Sequence, residues 1–179
     1  MITTKDKMCE EAIGMFRESG YENISINMIC GRLGVTRGSF YHHFDSKNAL
    51  LLYWFASRVK ASISLDGSLD SGKQTLRKHA LDYARMLAEI GHDLMYHVLT
   101  AEFELEGRHF HTYFDEESPS IALIDRAIAE GEIRSDQSGR ELIDAFAAAM
   151  IGIIVRWKFE RGAFDIQQRI ESAFDTIYR

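Results

Sequence analysis

Apolar side chains recur every three to four positions along almost the whole chain, and this spacing limits what the chain can fold into. It is the period of an α-helix with one buried face, whereas a half-buried strand needs alternation at every second position. No alternating run is long enough to indicate a strand, and the 179 residues include one proline. The pattern therefore predicts an all-α protein.

Breaks in this spacing divide the N-terminal third into short helices. Gly20 follows a first amphipathic stretch from about Lys5 to Ser19, in the position of a left-handed C-terminal cap. Ser25 is placed to cap a second helix that ends at Gly34, and Thr36 is placed to cap a third after a break of two residues. Two short helices joined by a tight turn, with a longer helix before them, predict a helix-turn-helix in a three-helix unit.

Further helical stretches follow, the first beginning near Ser46. A polar stretch at 66–73, with Gly and Ser residues, reads as a loop near a domain boundary. Helices are then expected at about 74–90, 93–106, 118–131, 138–161 and 166–178. We expect two domains, a helix-turn-helix domain at 1–58 and a helical domain at 59–179.

Charge is distributed unevenly between these two parts. Residues 1–60 contain eight Lys or Arg and six Asp or Glu, a net charge of +2, whereas residues 61–179 have a net charge of −8. The asymmetry permits a first third that faces nucleic acid, but +2 is too small to establish one. The case therefore depends on local patterning.

Cysteine use and hydropathy indicate a cytoplasmic protein with no membrane segment. Cys9 and Cys30 are too few for a disulfide framework, and their apolar helical settings favour two small buried side chains over a redox sensor. Residues 3–11 are too polar for a secretory leader. The longest apolar stretch, 145–155, is about half the length that a membrane-spanning helix needs.

A helical wheel of the third short helix separates an apolar side, with Phe40 and Phe44, from a polar side. The polar arc, about 140° wide, contains Arg37, Gly38, Tyr41 and His42. Arginine can fork onto a guanine edge, glycine lets the backbone approach, and tyrosine can reach a phosphate or a thymine methyl group. Phosphates can be contacted nearby by the hydroxyl groups of Thr36 and Ser39 and by the cation of Lys47. This face predicts a surface for double-stranded DNA.

The run from Ile29 to Leu50 resembles the helix-turn-helix of the TetR family. The family pattern is matched in type and spacing at Gly34, Val35, Tyr41, His43, Phe44, Lys47 and Leu50. The resemblance covers about residues 5–58 and implies a DNA-binding transcriptional regulator. It implies phosphate contacts from Ser25, Thr36, Tyr41, His43 and Lys47, and base contacts from Arg37, Gly38 and Ser39. The wheel places His43 nearer the core side than this role requires.

The helix expected at 138–161 indicates a homodimer. Its middle, 145–155, is apolar on every side, so it needs covering twice, by its own domain and by a second copy. A monomer with a buried central helix is the alternative. In the family that the chain resembles, the last two helices pair across a two-fold axis, which implies a pseudo-palindromic operator. The expected interface residues are Phe146, Met150, Ile153, Ile154, Ile170, Phe174 and Ile177.

The resemblance also implies a pocket for an effector among the middle helices. The expected lining residues are Tyr83, Met86, Tyr96, Phe103, Phe110, Tyr113 and Trp157. We expect no metal, because His92, His97, His109 and His111 lack a cysteine or a helical His-x-x-x-His pair among them. No catalytic motif indicates an enzyme, and no cofactor is expected.

Taken together, these features predict a repressor that an unidentified small-molecule effector releases from DNA by shifting the population of conformations. Activation in place of repression stays open. So does control of the same DNA-binding module by a protein partner.

Overall fold

The computed structural model describes residues 4–62, 71–104 and 118–179. Every regular element within these residues is an α-helix, which confirms the predicted fold class. In chain order the helices are α1 (Thr4–Ser19), α2 (Ile26–Leu33), α3 (Arg37–His43), α4 (Lys47–Ser62), α5 (Gly72–Ile90), α6 (His92–Glu104), α7 (Pro119–Ala129), α8 (Gly139–Phe159) and α9 (Ile166–Ile177). In the described part of the chain, none of them is long and apolar enough to cross a membrane.

Side-chain caps fix where the short N-terminal helices begin. The Ser25 hydroxyl accepts a hydrogen bond from the N–H of Met28 at 3.3 Å, and the Thr36 hydroxyl accepts one from the N–H of Ser39 at 3.1 Å. Gly34 ends α2 with φ +66°, a left-handed conformation that a side chain disfavours. These signals confine the turn between α2 and α3 to three residues.

Helices α1 to α4 form an N-terminal unit around a common apolar core. Phe40 of α3, Ile29 of α2 and Leu50 of α4 are fully buried there. Cys9 and Cys30 are buried in the same core as free thiols. Burial, helped by nearby Asp6, raises the pKa of the Cys9 thiol to about 12. Both cysteines thus pack as small apolar side chains, as the sequence favoured.

The C-terminal helices are built around α8. Ser138 and Glu141 form a capping box at its start. The N–H of Gly139 donates to Asp125 Oδ1 of α7 at 2.7 Å, and a Cβ at this glycine would lie 2.8 Å from the carbonyl oxygen of Ile121. Glycine therefore lets α8 begin in close contact with α7.

Helix α6 joins the two parts of the molecule. It packs against α4 on one side and against α8 on the other. One apolar cluster accordingly extends from α1 through α6 to Ile170 of α9. The domain boundary expected at residue 58 falls inside α4, and the division into two domains stays a prediction.

Candidate nucleic-acid interface

The polar side of α3 faces solvent and its apolar side belongs to the core. Phe40 is fully buried and Phe44 is 4% exposed, whereas 45% of Tyr41 is exposed. The other polar positions, Arg37, Gly38 and His42, are exposed as well. The helix thus presents to solvent the polar face that the wheel defines.

Arg37 and Tyr41 are paired on this face. A guanidinium Nη2 of Arg37 donates to the Tyr41 hydroxyl at 3.3 Å, and the guanidinium carbon lies 5.7 Å from the centroid of the ring. Residues four apart on a helix are neighbours, which accounts for the contact. The two long side chains of the face are therefore held next to each other, with the remaining guanidinium N–H groups directed outward from an exposed residue.

Gly38 leaves an open stretch of backbone between these side chains. A Cβ placed there would lie 3.6 Å from Oγ1 of Thr36, an ordinary van der Waals distance. Its backbone does not adopt the left-handed conformation that demands glycine. Among the described residues, then, nothing in the fold requires a glycine at this position.

The hydroxyl and imidazole groups predicted to contact DNA lie around the same face. Ser25 and Thr36 are the exposed N-cap residues of α2 and α3. Each hydroxyl accepts a capping hydrogen bond and still has a proton that it can donate. Ser39 and His43 are half-buried. The rings of His42 and His43 lie 5.1 Å apart at the end of α3. Their contacts with DNA stay predictions.

Lys47 has a structural role that its sequence position did not indicate. Its ammonium donates to the backbone carbonyls of Tyr21 at 2.8 Å and Ile24 at 3.0 Å, and it lies 3.9 Å from the centroid of the Tyr21 ring. Partial burial lowers the pKa of Lys47, with Glu22 acting in the opposite direction. Two of the three ammonium protons therefore hold the connection between α1 and α2, and the contact of Lys47 with a phosphate stays a prediction.

The residues predicted to line an effector pocket are not gathered in one place. On α6, 44% of Tyr96 and 77% of Phe103 are exposed. Three residues pack in or against the apolar core, namely Tyr83, Met86 and Trp157. Two others lie outside the described residues, namely Phe110 and Tyr113. A ligand-binding role for this set stays a prediction.

Four of the predicted interface residues belong to the protomer's own core. Their exposed fractions are small: Met150 7%, Ile154 4%, Ile170 0% and Phe174 1%. Neighbouring helices of the same chain already cover these four, and their contact with a second copy stays a prediction. The other three are half-buried against the same cores, namely Phe146, Ile153 and Ile177.

A different row of residues forms the exposed apolar face of α8. We call this row the α8 seam: Ala145, Ala148, Gly152, Val155 and Phe159. Its positions are three and four residues apart by turns, the spacing of helices that pack lengthwise on each other. Of its two large members, Val155 is 36% exposed and Phe159 is 81% exposed. The sequence contains this spacing, but the larger apolar residues on either side of the row draw attention away from it.

Comparison with known proteins places these helices in a family. Residues 9–53 match the family described as bacterial regulatory proteins, tetR family. The TetC protein of transposon Tn10 from Escherichia coli is 34% identical over 87 residues, 45% of this chain and 44% of that protein. IcaR from Staphylococcus aureus, a negative transcriptional regulator of the biofilm operon icaADBC, is 37% identical over 46 residues, 26% of this chain and 25% of that protein. The chain thus aligns with less than half the length of these relatives.

A solved structure extends the likeness of the fold to both parts of the chain. FadR from Thermus thermophilus, a TetR family transcriptional repressor solved in complex with lauroyl-CoA, superposes with a TM-score of 0.71 at 18% identity. The superposition covers 97% of this chain and 92% of FadR. The tetR family pattern thus lies on the helices that present the polar face, and the chain has the fold of a solved TetR family member over nearly its whole length.

Proposed function

We propose that the protein is a transcriptional repressor that binds a pseudo-palindromic operator as a homodimer and leaves it when a small-molecule effector binds. The observation that carries the proposal is the outer face of α3. There Arg37 and Tyr41 are exposed and paired around the open backbone of Gly38, while Phe40 fixes the opposite side in the core. A short helix with these groups outward fits the major groove.

On this proposal, the groups around α3 divide into two kinds of contact. Arg37 forks onto a guanine edge, with Gly38 and Ser39 close to neighbouring bases. Ser25 and Thr36, exposed at the starts of α2 and α3, contact phosphates and fix the register, as do Tyr41, His42 and His43. Lys47 holds the α1–α2 connection with two of its ammonium protons and offers the third to a phosphate.

The second copy pairs through the α8 seam. Its small residues, Ala145, Ala148 and Gly152, let two α8 helices approach closely, and a Cβ at Gly152 would meet no described atom within 4 Å. Phe159 and Val155 gain burial in the pair, at about 25 cal/mol for each Å² of apolar surface removed from water. Two-fold symmetry in this pair would let the two α3 helices meet successive major grooves, which lie about 34–36 Å apart.

Repression and release by an effector are supported by relatives. IcaR is described as a negative transcriptional regulator, and FadR is described as a repressor that was solved with lauroyl-CoA bound. An effector that prefers another arrangement of α5 and α6 would shift the dimer away from the conformation that fits DNA. Thermal shift with a panel of apolar and cationic compounds tests this part, and protein-partner control is the alternative if none stabilises the chain.

In vitro selection of duplexes from a random-sequence library with the full-length protein tests the DNA-binding part. We expect an inverted repeat with half-sites about 10 base pairs apart. Arg37→Ala and Tyr41→Ala should each weaken binding to the selected duplex by about 1–3 kcal/mol. Arg126→Ala, which removes an exposed arginine from α7, serves as the control and should leave binding unchanged. Failure to enrich any duplex, or wild-type binding by both α3 variants, would refute the proposal.

A further inference from the structure

A stacked pair of rings connects α6 to the segment between α1 and α2. The imidazole of His97 lies on the ring of Tyr21 with centroids 4.4 Å apart and planes 26° apart. His97 Nδ1 also lies 3.4 Å from a carboxylate oxygen of Glu22. Tyr21 is 7% exposed and the His97 side chain 15% exposed, so the stack is largely shielded from water.

Tyr21 is tied in turn to the first residues of α4. Its ring lies 3.9 Å from the ammonium of Lys47, which donates to its backbone carbonyl, and its hydroxyl donates to the side-chain oxygen of Asn48. Three residues, 44–46, separate α3 from α4. Whatever holds the start of α4 therefore also holds the end of α3.

We propose that His97 is a positioning residue for DNA binding, which acts through Tyr21 and Lys47 to hold the corner between α3 and α4. A change in the position of α6 would open this stack and release α3 from the orientation that fits the major groove. The proposal rests on the proposed function, and it names the contact by which the C-terminal helices regulate α3. Since α6 also packs against α8, the contact lies between the α8 seam and the DNA-binding face.

The charges around His97 make the stack sensitive to acid. Facing groups are Glu22 on the α1–α2 connection, Lys158 on α8, Lys47 on α4 and Asp93 on α6 itself. Burial lowers the pKa of His97; Glu22 and Asp93 oppose this, and the two lysines reinforce it. The imidazole thus stacks in its neutral form at pH 7. The stability that this provides is complete above the ordinary histidine pKa of about 6.5 and is lost as the pH falls below it.

Three variants of the full-length protein test the proposal. His97→Ala removes the stack, His97→Phe refills it with a ring that cannot be protonated, and His92→Ala removes an imidazole of the same helix that packs on Trp157 instead. The readouts are affinity for a duplex selected in vitro with wild-type protein, and amide hydrogen exchange of residues 37–50 without DNA.

We expect His97→Ala to weaken binding about tenfold, within the range of couplings carried by single residues, and to speed exchange in α3 and at the start of α4. His97→Phe should restore both and should bind with a smaller loss than wild type when the pH is lowered from about 7.5 to about 5.5. His92→Ala should change neither readout, even where it lowers the free energy of unfolding.

Two results would overturn the proposal. One is that His97→Ala matches His92→Ala in both readouts, and the other is that His97→Phe fails as completely as His97→Ala. If wild-type protein selects no duplex, the proposed function fails, whereas the exchange measurement still decides whether His97 holds α3.

Discussion

Gly38 and Gly139 lack a side chain for opposite reasons. At Gly139 a Cβ would lie 2.6 Å from Asp125 Oδ1, so the contact between α7 and α8 demands glycine. At Gly38 the nearest atom would be 3.6 Å away, and the helix would accept a side chain. On the proposed function, the close approach of the duplex to the backbone accounts for the glycine at this exposed position.

We predict that Gly38→Ala separates folding from binding. The free energy of unfolding should rise by up to about 1 kcal/mol, because alanine is the better helix former, while affinity for the selected duplex falls. Gly14→Ala in α1, where a Cβ also meets nothing within 4 Å, is the matched control and should gain stability without losing affinity. Unchanged binding by Gly38→Ala would show that the backbone of α3 does not approach the duplex here.

Lys47→Met should destabilise the protein in the absence of DNA. The substitution leaves the carbonyls of Tyr21 and Ile24 without their donor, at an expected cost of about 1–3 kcal/mol in denaturant unfolding. Lys60→Met, which alters an exposed lysine in the last turn of the same helix, should stay within about 0.5 kcal/mol of wild type. Equal stability of the two variants would show that the two carbonyl bonds of Lys47 contribute little to the fold.

The orientation of Tyr41 and the hydrogen-bond partners of Lys47 show what a sequence can and cannot reveal about single residues. The outward orientation of Tyr41 follows from the helical period together with Phe40 and Phe44 as core. The partners of Lys47 are backbone carbonyls 26 and 23 positions earlier in the chain, and no local pattern encodes that meeting. The stack of His97 on Tyr21 eluded sequence reasoning for the same reason.

Among the elements, α8 shows where periodicity is informative and where it is not. Its position in the chain is predicted correctly from the sequence. Because its middle is apolar all round, the helical wheel cannot decide which side of α8 its own chain covers. Tertiary packing decides which side of α8 is buried, and it leaves the α8 seam, with its mostly small residues, facing solvent.

Ala148→Glu should convert the dimer into a monomer. The change places two carboxylates opposite each other across the two-fold axis, where they are desolvated without a partner. Sedimentation should then give the 20.5 kDa mass of one chain where wild type gives twice that value. Ala122→Glu, at an exposed position of α7, is the control that should remain dimeric. A dimer that survives Ala148→Glu would move the interface away from the α8 seam.

At the scale of the whole molecule, the protein carries a net charge of −6, so non-specific attraction to DNA is weak and geometry must supply much of the selectivity. On the proposed function, a rigid dimer with two copies of α3 would bind both half-sites only at one spacing. The sequence predicted the helices, but not the contacts of α6 with α4 and α8 that join the N-terminal and C-terminal parts.

Insertion of about five base pairs between the half-sites should therefore reduce affinity more than tenfold, because it turns one half-site by about half a helical turn away from its α3. Titration of fluorescently labelled duplexes measures the loss. A duplex whose central bases are exchanged at constant length is the control. Equal affinity for both duplexes would mean that the two copies bind independently.

The burial of Cys9 also bears on which stimuli the protein can perceive. With a pKa of about 12, on the order of one thiol in 10⁵ is ionised at pH 7, and the ionised form is the one that peroxides and electrophiles attack. Oxidants and electrophiles should therefore react only slowly with the Cys9 thiol. If the protein regulates transcription as proposed, Cys9 is therefore not the group through which it would sense oxidants.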